Sequence, residues 1–372
     1  METRQKKRSA VRLWRLCPLR HTLLCLSLLW TAVYFLTRGD RTWMNALCRD
    51  LVRPWHALAG RFYSLVRFSA AEWIIALWVV IGLCFIVQLV LHFRRRGGWE
   101  ALWRWAVSLC TTVSVIFGLF CLWWGVYYYA DSFTETSGLE RREISAAELA
   151  AVTQHFADLA NEYSPRVERD ENGLFTADLS GLFDHSTELY RAVEAEVPGL
   201  AGPALRAKPA VFSRLMSMIN NTGYFFCFTG EANVNVDCTM ALLPATIAHE
   251  LAHQRGVARE DEANFAGIVA CLADGDAAFA YSGALMAYVY LGNALHDTDY
   301  ELWEQVYASL NEDVHNDLRA HNAYWARYDD SKAAEITDRV YETVLKTYGD
   351  DRGMRSYDAC VDLLAVWILD RS

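Results

Sequence analysis

Apolar residues run almost unbroken through three stretches of the first 130 positions, then give way to amphipathic patterning. The first stretch, residues 21–37, follows seven Lys/Arg within positions 1–20. The second, 73–93, reads WIIALWVVIGLCFIVQLVLHF and contains no Asp, Glu, Lys or Arg; the third covers 105–130. A helix needs about 20 apolar residues to cross the hydrocarbon core. The second and third stretches meet that length, and the first does so with its flanks. The pattern predicts three transmembrane helices. The first reads as an uncleaved anchor rather than a signal peptide, because no small-x-small cleavage site follows it directly.

Beyond residue 130 the periodicity is mainly helical. Ser145 with Glu148 matches a capping box and opens a helix to about Tyr163. A second helix is predicted from about Asp184 to Glu196, stopped by Pro198 and Gly199. Gly223–Gly230 and Ala232–Cys238 alternate and are rich in aromatic or β-branched residues, which predicts a short hairpin. Helical patterning dominates from Pro244 onward. Ala277–Leu295 is uncharged and long enough to span a membrane, but it is rich in Ala, Gly, Ser and Tyr rather than in Leu and Ile. Asp297, Asp299, Glu301 and Glu304 follow it, so it reads as a core helix. The expected fold is α+β, mainly α: a membrane anchor over 1–130 and one domain over 131–372.

Charge sharpens this division. Residues 1–130 hold 17 Lys/Arg and 5 Asp/Glu, whereas residues 131–372 hold 18 and 40. Arg94, Arg95, Arg96 and Arg104 lie between the second and third stretches, and with the basic N-terminus they place both segments in the cytoplasm. Trp123, Trp124 and Tyr127–Tyr129 then form an aromatic belt at the far face. The acidic domain is expected outside the plasma membrane, with the lipid bilayer as its partner. Its negative charge excludes nucleic-acid binding, which needs concentrated positive charge. Of ten cysteines, Cys227 and Cys238 flank the hairpin and are candidates for a disulfide in that compartment. No CxxC pair exists, so a Cys-based zinc site is not indicated.

The chemistry lies in His249-Glu250-Leu251-Ala252-His253. Histidines four apart face one side of a helix and can hold one Zn²⁺, while the intervening Glu can act as general base. A third ligand must come from nearby. On a straight helix Glu260 would lie about 10 Å along the axis from His253, out of reach. Gly256 can end the helix and turn the chain, so that a second helix returns a carboxylate. Glu260 and Glu262 point about 200° apart, so one of them serves. Glu260 is favoured, with Asn264 one turn on as support for an imidazole; Glu262 is the alternative.

AHELAHQRGVAREDEANF resembles the gluzincin metallopeptidases, which take their third ligand from a downstream Glu. Together with GYFFCFTGEANVNVD and RSYDACVDLLAVW, it also resembles an uncharacterised bacterial membrane family, domain-of-unknown-function family 3810. The resemblance implies His249 and His253 as zinc ligands, Glu250 as base and a peptide or protein substrate of unstated identity. It also implies an edge strand to seat that substrate, for which Ala232, Asn233, Val234 and Asn235 are the candidates. Arg355 and Tyr357 are candidate oxyanion stabilisers. The expected function is a membrane-anchored zinc peptidase. The alternatives are a non-catalytic receptor or assembly module with a structural zinc, and a zinc amidase acting on cell-wall peptide.

Overall fold

The computed structural model describes residues 13–328, 339, 343 and 360–371. Among the described residues, three helices are long and apolar enough to cross a membrane: Pro18–Thr37, Ala70–Arg94 and Trp99–Trp123. The first and third pack side by side, with Ser27 bonded to Ser114 and Trp30 to the Gly118 carbonyl. The second leaves Val79, Leu83, Ile86 and Val87 exposed along its length, a surface that lipid would cover.

Two boundaries differ from the sequence reading. Pro18 sits at the start of the first helix, where its missing N–H costs nothing, so the helix opens earlier than residue 21. The third begins at Trp99 and stops at Trp123 rather than running from 105 to 130. Gly125–Tyr129 form a tight 3-10 turn instead, with Val126 and Tyr127 buried against Tyr34, Cys48 and Val52. The aromatic run is apolar because it packs inside the protein at the end of the helix.

The chain between the first and second apolar helices is structured. Arg41–Leu47, a π-helical turn at Cys48–Val52, and Arg53–Tyr63 form a nearly continuous helical segment. It supports a three-stranded sheet of order β1-β3-β2. β1 is Lys208–Pro209, β2 is Gly223–Phe226 and β3 is Glu231–Val234. β2 and β3 form the predicted antiparallel hairpin, while β1 pairs parallel to β3. Gly60 lies against the β2–β3 turn, where a Cβ on Gly230 would sit 2.6 Å from the His56 carbonyl and 3.1 Å from the Gly60 nitrogen. Gly230 also has φ of +70°, so glycine serves both the turn and the contact.

The other main elements among the described residues are helices. Ala146–Tyr163 opens on the Ser145–Glu148 capping box, as the sequence indicates. The helix expected over 184–196 is broken into Leu179–His185 and Arg191–Glu196. The intervening turn buries Leu189 and Tyr190, and the Tyr190 hydroxyl donates to the Ala248 carbonyl. Ala277–Thr298 is a core helix, with Phe279, Tyr281, Ala284 and Leu285 fully buried. A Cβ at Gly283 would lie 2.5 Å from Cys271, which shows how closely this helix meets the one before it.

Candidate functional site

The motif helix, Leu243–Gln254, is buried along its whole length between the sheet and the core helices. Its end is a Schellman turn. The Gly256 N–H donates to the His253 carbonyl, and the Val257 N–H to the Ala252 carbonyl. Gly256 adopts φ of +89° to close it. This turn aims the Val257 carbonyl at His253 Nδ1, 2.7 Å away. Nδ1 therefore donates, which leaves Nε2 as the ring nitrogen that faces the site.

The next helix, Glu260–Asp274, runs back across the motif helix. The approach is tight: a Cβ at Gly267 would fall 2.8 Å from the His249 backbone nitrogen. That closeness brings Glu260 Oε2 to 3.2 Å from His249 Nε2 and 3.4 Å from His253 Nε2. One ligand atom from each residue lies within 4.8 Å of the others. Burial alone would lower the affinity of His253 for a proton, but the Glu260 carboxylate outweighs it and raises the pKa to about 9. The reciprocal attraction, chiefly from His253, overcomes burial and holds the Glu260 carboxyl well below the usual range.

Glu262 does something else. Its carboxylate accepts from the backbone N–H groups of Phe133 and Thr134, both at 3.0 Å, and from the Thr134 hydroxyl at 2.6 Å. It thereby caps the short helix Phe133–Ser137 and turns away from the histidines. Asp261 pairs with Arg141. Asn264 is buried one turn beyond Glu260, and the His253 imidazole is held by the Val257 carbonyl.

Glu250 is fully enclosed, and burial pushes its pKa up to about 7 against the pull of His249 and His253. Among the described residues, its Oε2 is buried without a hydrogen-bond partner, as is His249 Nδ1. Gly223, the first residue of β2, faces it directly: a Cβ there would sit 2.5 Å from Glu250 Oε1. Gly223→Ala is expected to displace the carboxylate while sparing the histidines. On the expectation of a zinc peptidase with Glu250 as base, activity on peptides should fall by about 100-fold with unchanged zinc content, since a general base contributes roughly 10²–10⁴-fold. Equal activity of the variant and the parent in a steady-state assay would refute this positioning role.

Two expectations are corrected by the sheet. Ala232–Asn235 is not an edge strand: β3 lies between β1 and β2, and Asn233 pairs with Lys208 on one side and Tyr224 on the other. Beside Glu250 the outer edge belongs to β2. The bond from the Asn235 N–H to the Thr222 carbonyl fixes the alternation, so Gly223 and Phe225 direct their backbone groups away from β3. Cys227 and Cys238 are free thiols at opposite ends of the hairpin, too far apart for a disulfide. Arg355 and Tyr357 lie outside the described residues. His296 is exposed beside Asp297, and His321 bonds Thr239.

A cavity of about 240 Å³ opens one turn before Glu250, lined by Thr222, Asn235, Leu242, Thr246, Met286 and Trp325 among others. On the opposite side, Trp124, the residue that follows the third apolar helix, meets the His253 ring edge-on at 5.6 Å.

The family model described as "Protein of unknown function (DUF3810)" matches residues 49–365. The chain belongs to this family. The matched range begins inside the segment between the first two apolar helices, so the family unit includes the later part of that segment, two apolar helices and the residues His249, His253 and Glu260. No curated protein and no solved structure matches this DUF3810 member.

Proposed function

We propose that this DUF3810 member is a membrane-anchored zinc metallopeptidase resembling the gluzincins, with its domain on the extracytoplasmic side. The observation that carries the reading is the meeting of His249, His253 and Glu260 beside a buried, unpartnered Glu250 oxygen. Two imidazole nitrogens and one carboxylate are a donor set suited to zinc, and they leave a fourth position open. Zinc held there would lower the pKa of water and polarise a carbonyl. Glu250 would take a proton from the attacking water as its oxygen bonds the peptide carbon, then pass that proton to the departing amine as the C–N bond breaks. The substrate backbone would add to the outer edge of β2 through the groups of Gly223 and Phe225. The cavity beyond Thr246 would take one of its side chains.

The reading is tested on purified full-length protein by metal analysis and a quenched peptide library. About one zinc per chain is expected. Hydrolysis should require that zinc and vanish in Glu250→Gln, which keeps it. A well-folded protein that takes up no zinc would sink the proposal, and one that holds zinc but cuts no peptide would favour the non-catalytic module.

A further inference from the structure

Two exposed apolar stripes flank the start of the second apolar helix. The first lies on helix Arg53–Tyr63, whose buried face is His56, Ala59 and Gly60. Leu58 and Phe62 occupy another face and Leu65 follows in the turn past the helix end; they are 66%, 65% and 80% exposed. Trp55 stands on the face of Leu58 and Phe62, at the i, i+3, i+7 spacing of one helical stripe. Its ring stacks on Trp123, the last residue of the third apolar helix, at 4.8 Å. The stripe therefore starts at the end of one membrane-length helix and runs to the beginning of another.

The second stripe is Val211 and Phe212, in the turn just before helix Ser213–Met218, with Leu215 and Met218 on that helix, all of them exposed. Glu72, in the first turn of Ala70–Arg94, accepts from the Val211 and Phe212 N–H groups at 2.7 Å each. Lys208 ties the two segments together by donating to the carbonyls of Tyr63 and Phe68. Arg61, Arg67 and Arg214 stand exposed beside the apolar residues. This is the chemistry of a surface that lies in a lipid interface: large apolar side chains in the acyl boundary and cations among the headgroups.

We propose that these stripes form a collar immersed in the leaflet around the second apolar helix, and that the collar holds the triad at the membrane surface. The occupant of the apolar surface is bilayer lipid, because it is continuous with helices that lipid must already cover. The contact between Trp124 and His253 places the histidines just past the end of the third helix. On the peptidase reading above, the substrate class is then a membrane-tethered polypeptide, cut in its juxtamembrane segment.

The test uses full-length protein in nanodiscs of phosphatidylethanolamine and phosphatidylglycerol carrying a traced lipid. A photo-crosslinking amino acid replaces Leu58, Phe62 or Leu215, or Tyr300 as an exposed control. Lipid adducts at the three collar positions should exceed those at Tyr300 by at least about tenfold, as immersion of an interfacial helix requires. Adducts at the control level would overturn the collar. A tethered peptide library is then added, and its cut sites are mapped by mass spectrometry. Cuts should cluster within about five residues of the bilayer, roughly 17 Å of extended chain. Cuts confined to more distant positions would overturn the substrate assignment. Strong lipid adducts with no peptide cut would support the collar and count against the peptidase reading itself.

Discussion

Glu260→Ala is expected to retain less than about a tenth of the parent's zinc, whereas Glu262→Ala keeps about one per chain. Loss of a partner that only supports a ligand costs roughly 10–100-fold in metal affinity, and loss of a ligand should cost at least as much. Glu260 places one oxygen near both imidazole nitrogens, at 3.2 and 3.4 Å, while both oxygens of Glu262 are committed to Phe133 and Thr134. Glu262→Ala should instead lower stability by about 1–3 kcal/mol, because it removes charge-assisted bonds to a buried helix start. Metal content after exchange against a weak chelator, together with thermal denaturation in detergent, separates the two effects. Equal zinc loss in both variants would show that the triad is wrongly drawn.

The choice between these glutamates was legible only in part. A helix cannot aim positions 260 and 262 at one point, and Gly256 gives the turn that returns the chain, so the sequence narrows the set to one carboxylate. What it hides is the use of the other. The N–H groups that Glu262 caps lie at Phe133 and Thr134, far away in sequence, and no local pattern announces them. The same limit explains the misassigned edge strand. β1 is two residues long, Lys208 and Pro209, too short for alternation to register, yet it converts β3 from an edge to a centre. The apolar helices were legible because twenty-odd uncharged residues have few other solutions in a folded chain. The end of the third was not, because Tyr127 packed inside protein reads like Tyr127 at a lipid interface. Gly223 and Gly267 were missed altogether. Their signal is a glycine opening a strand or sitting within a helix, and what each approaches emerges only when β2 and helix Glu260–Asp274 are set against the motif helix.

The other large effect is expected at the joint between sheet and second apolar helix. Lys208→Met should destabilise the detergent-solubilised protein by about 3–5 kcal/mol, the usual cost of stripping one partner from a buried ion pair. Both members are almost entirely buried, at 3% exposure each. The Lys208 ammonium meets Glu231 and also donates to the carbonyls of Tyr63 and Phe68, at 2.8 and 3.1 Å. Glu231 in turn accepts from the N–H groups of Ala70 and Ala71 and from the Thr229 hydroxyl. Its negative charge thus sits at the N-terminus of a long helix, where the macrodipole favours it. Removing Lys208 leaves that charge to the helix end and one hydroxyl, and it frees two carbonyls in a dry place. The double variant Lys208→Met with Glu231→Gln removes the orphaned charge along with its partner. Denaturation midpoints across the four proteins should therefore give a double variant less damaged than the sum of the singles, by about 1–3 kcal/mol of coupling. Strict additivity would mean that the two groups do not act as a pair. Because Glu231 belongs to the strand that holds β2, the Lys208 variant should also loosen the wall that Gly223 presents to Glu250. Residual activity should then fall more steeply with temperature than in the parent, in step with unfolding of the sheet.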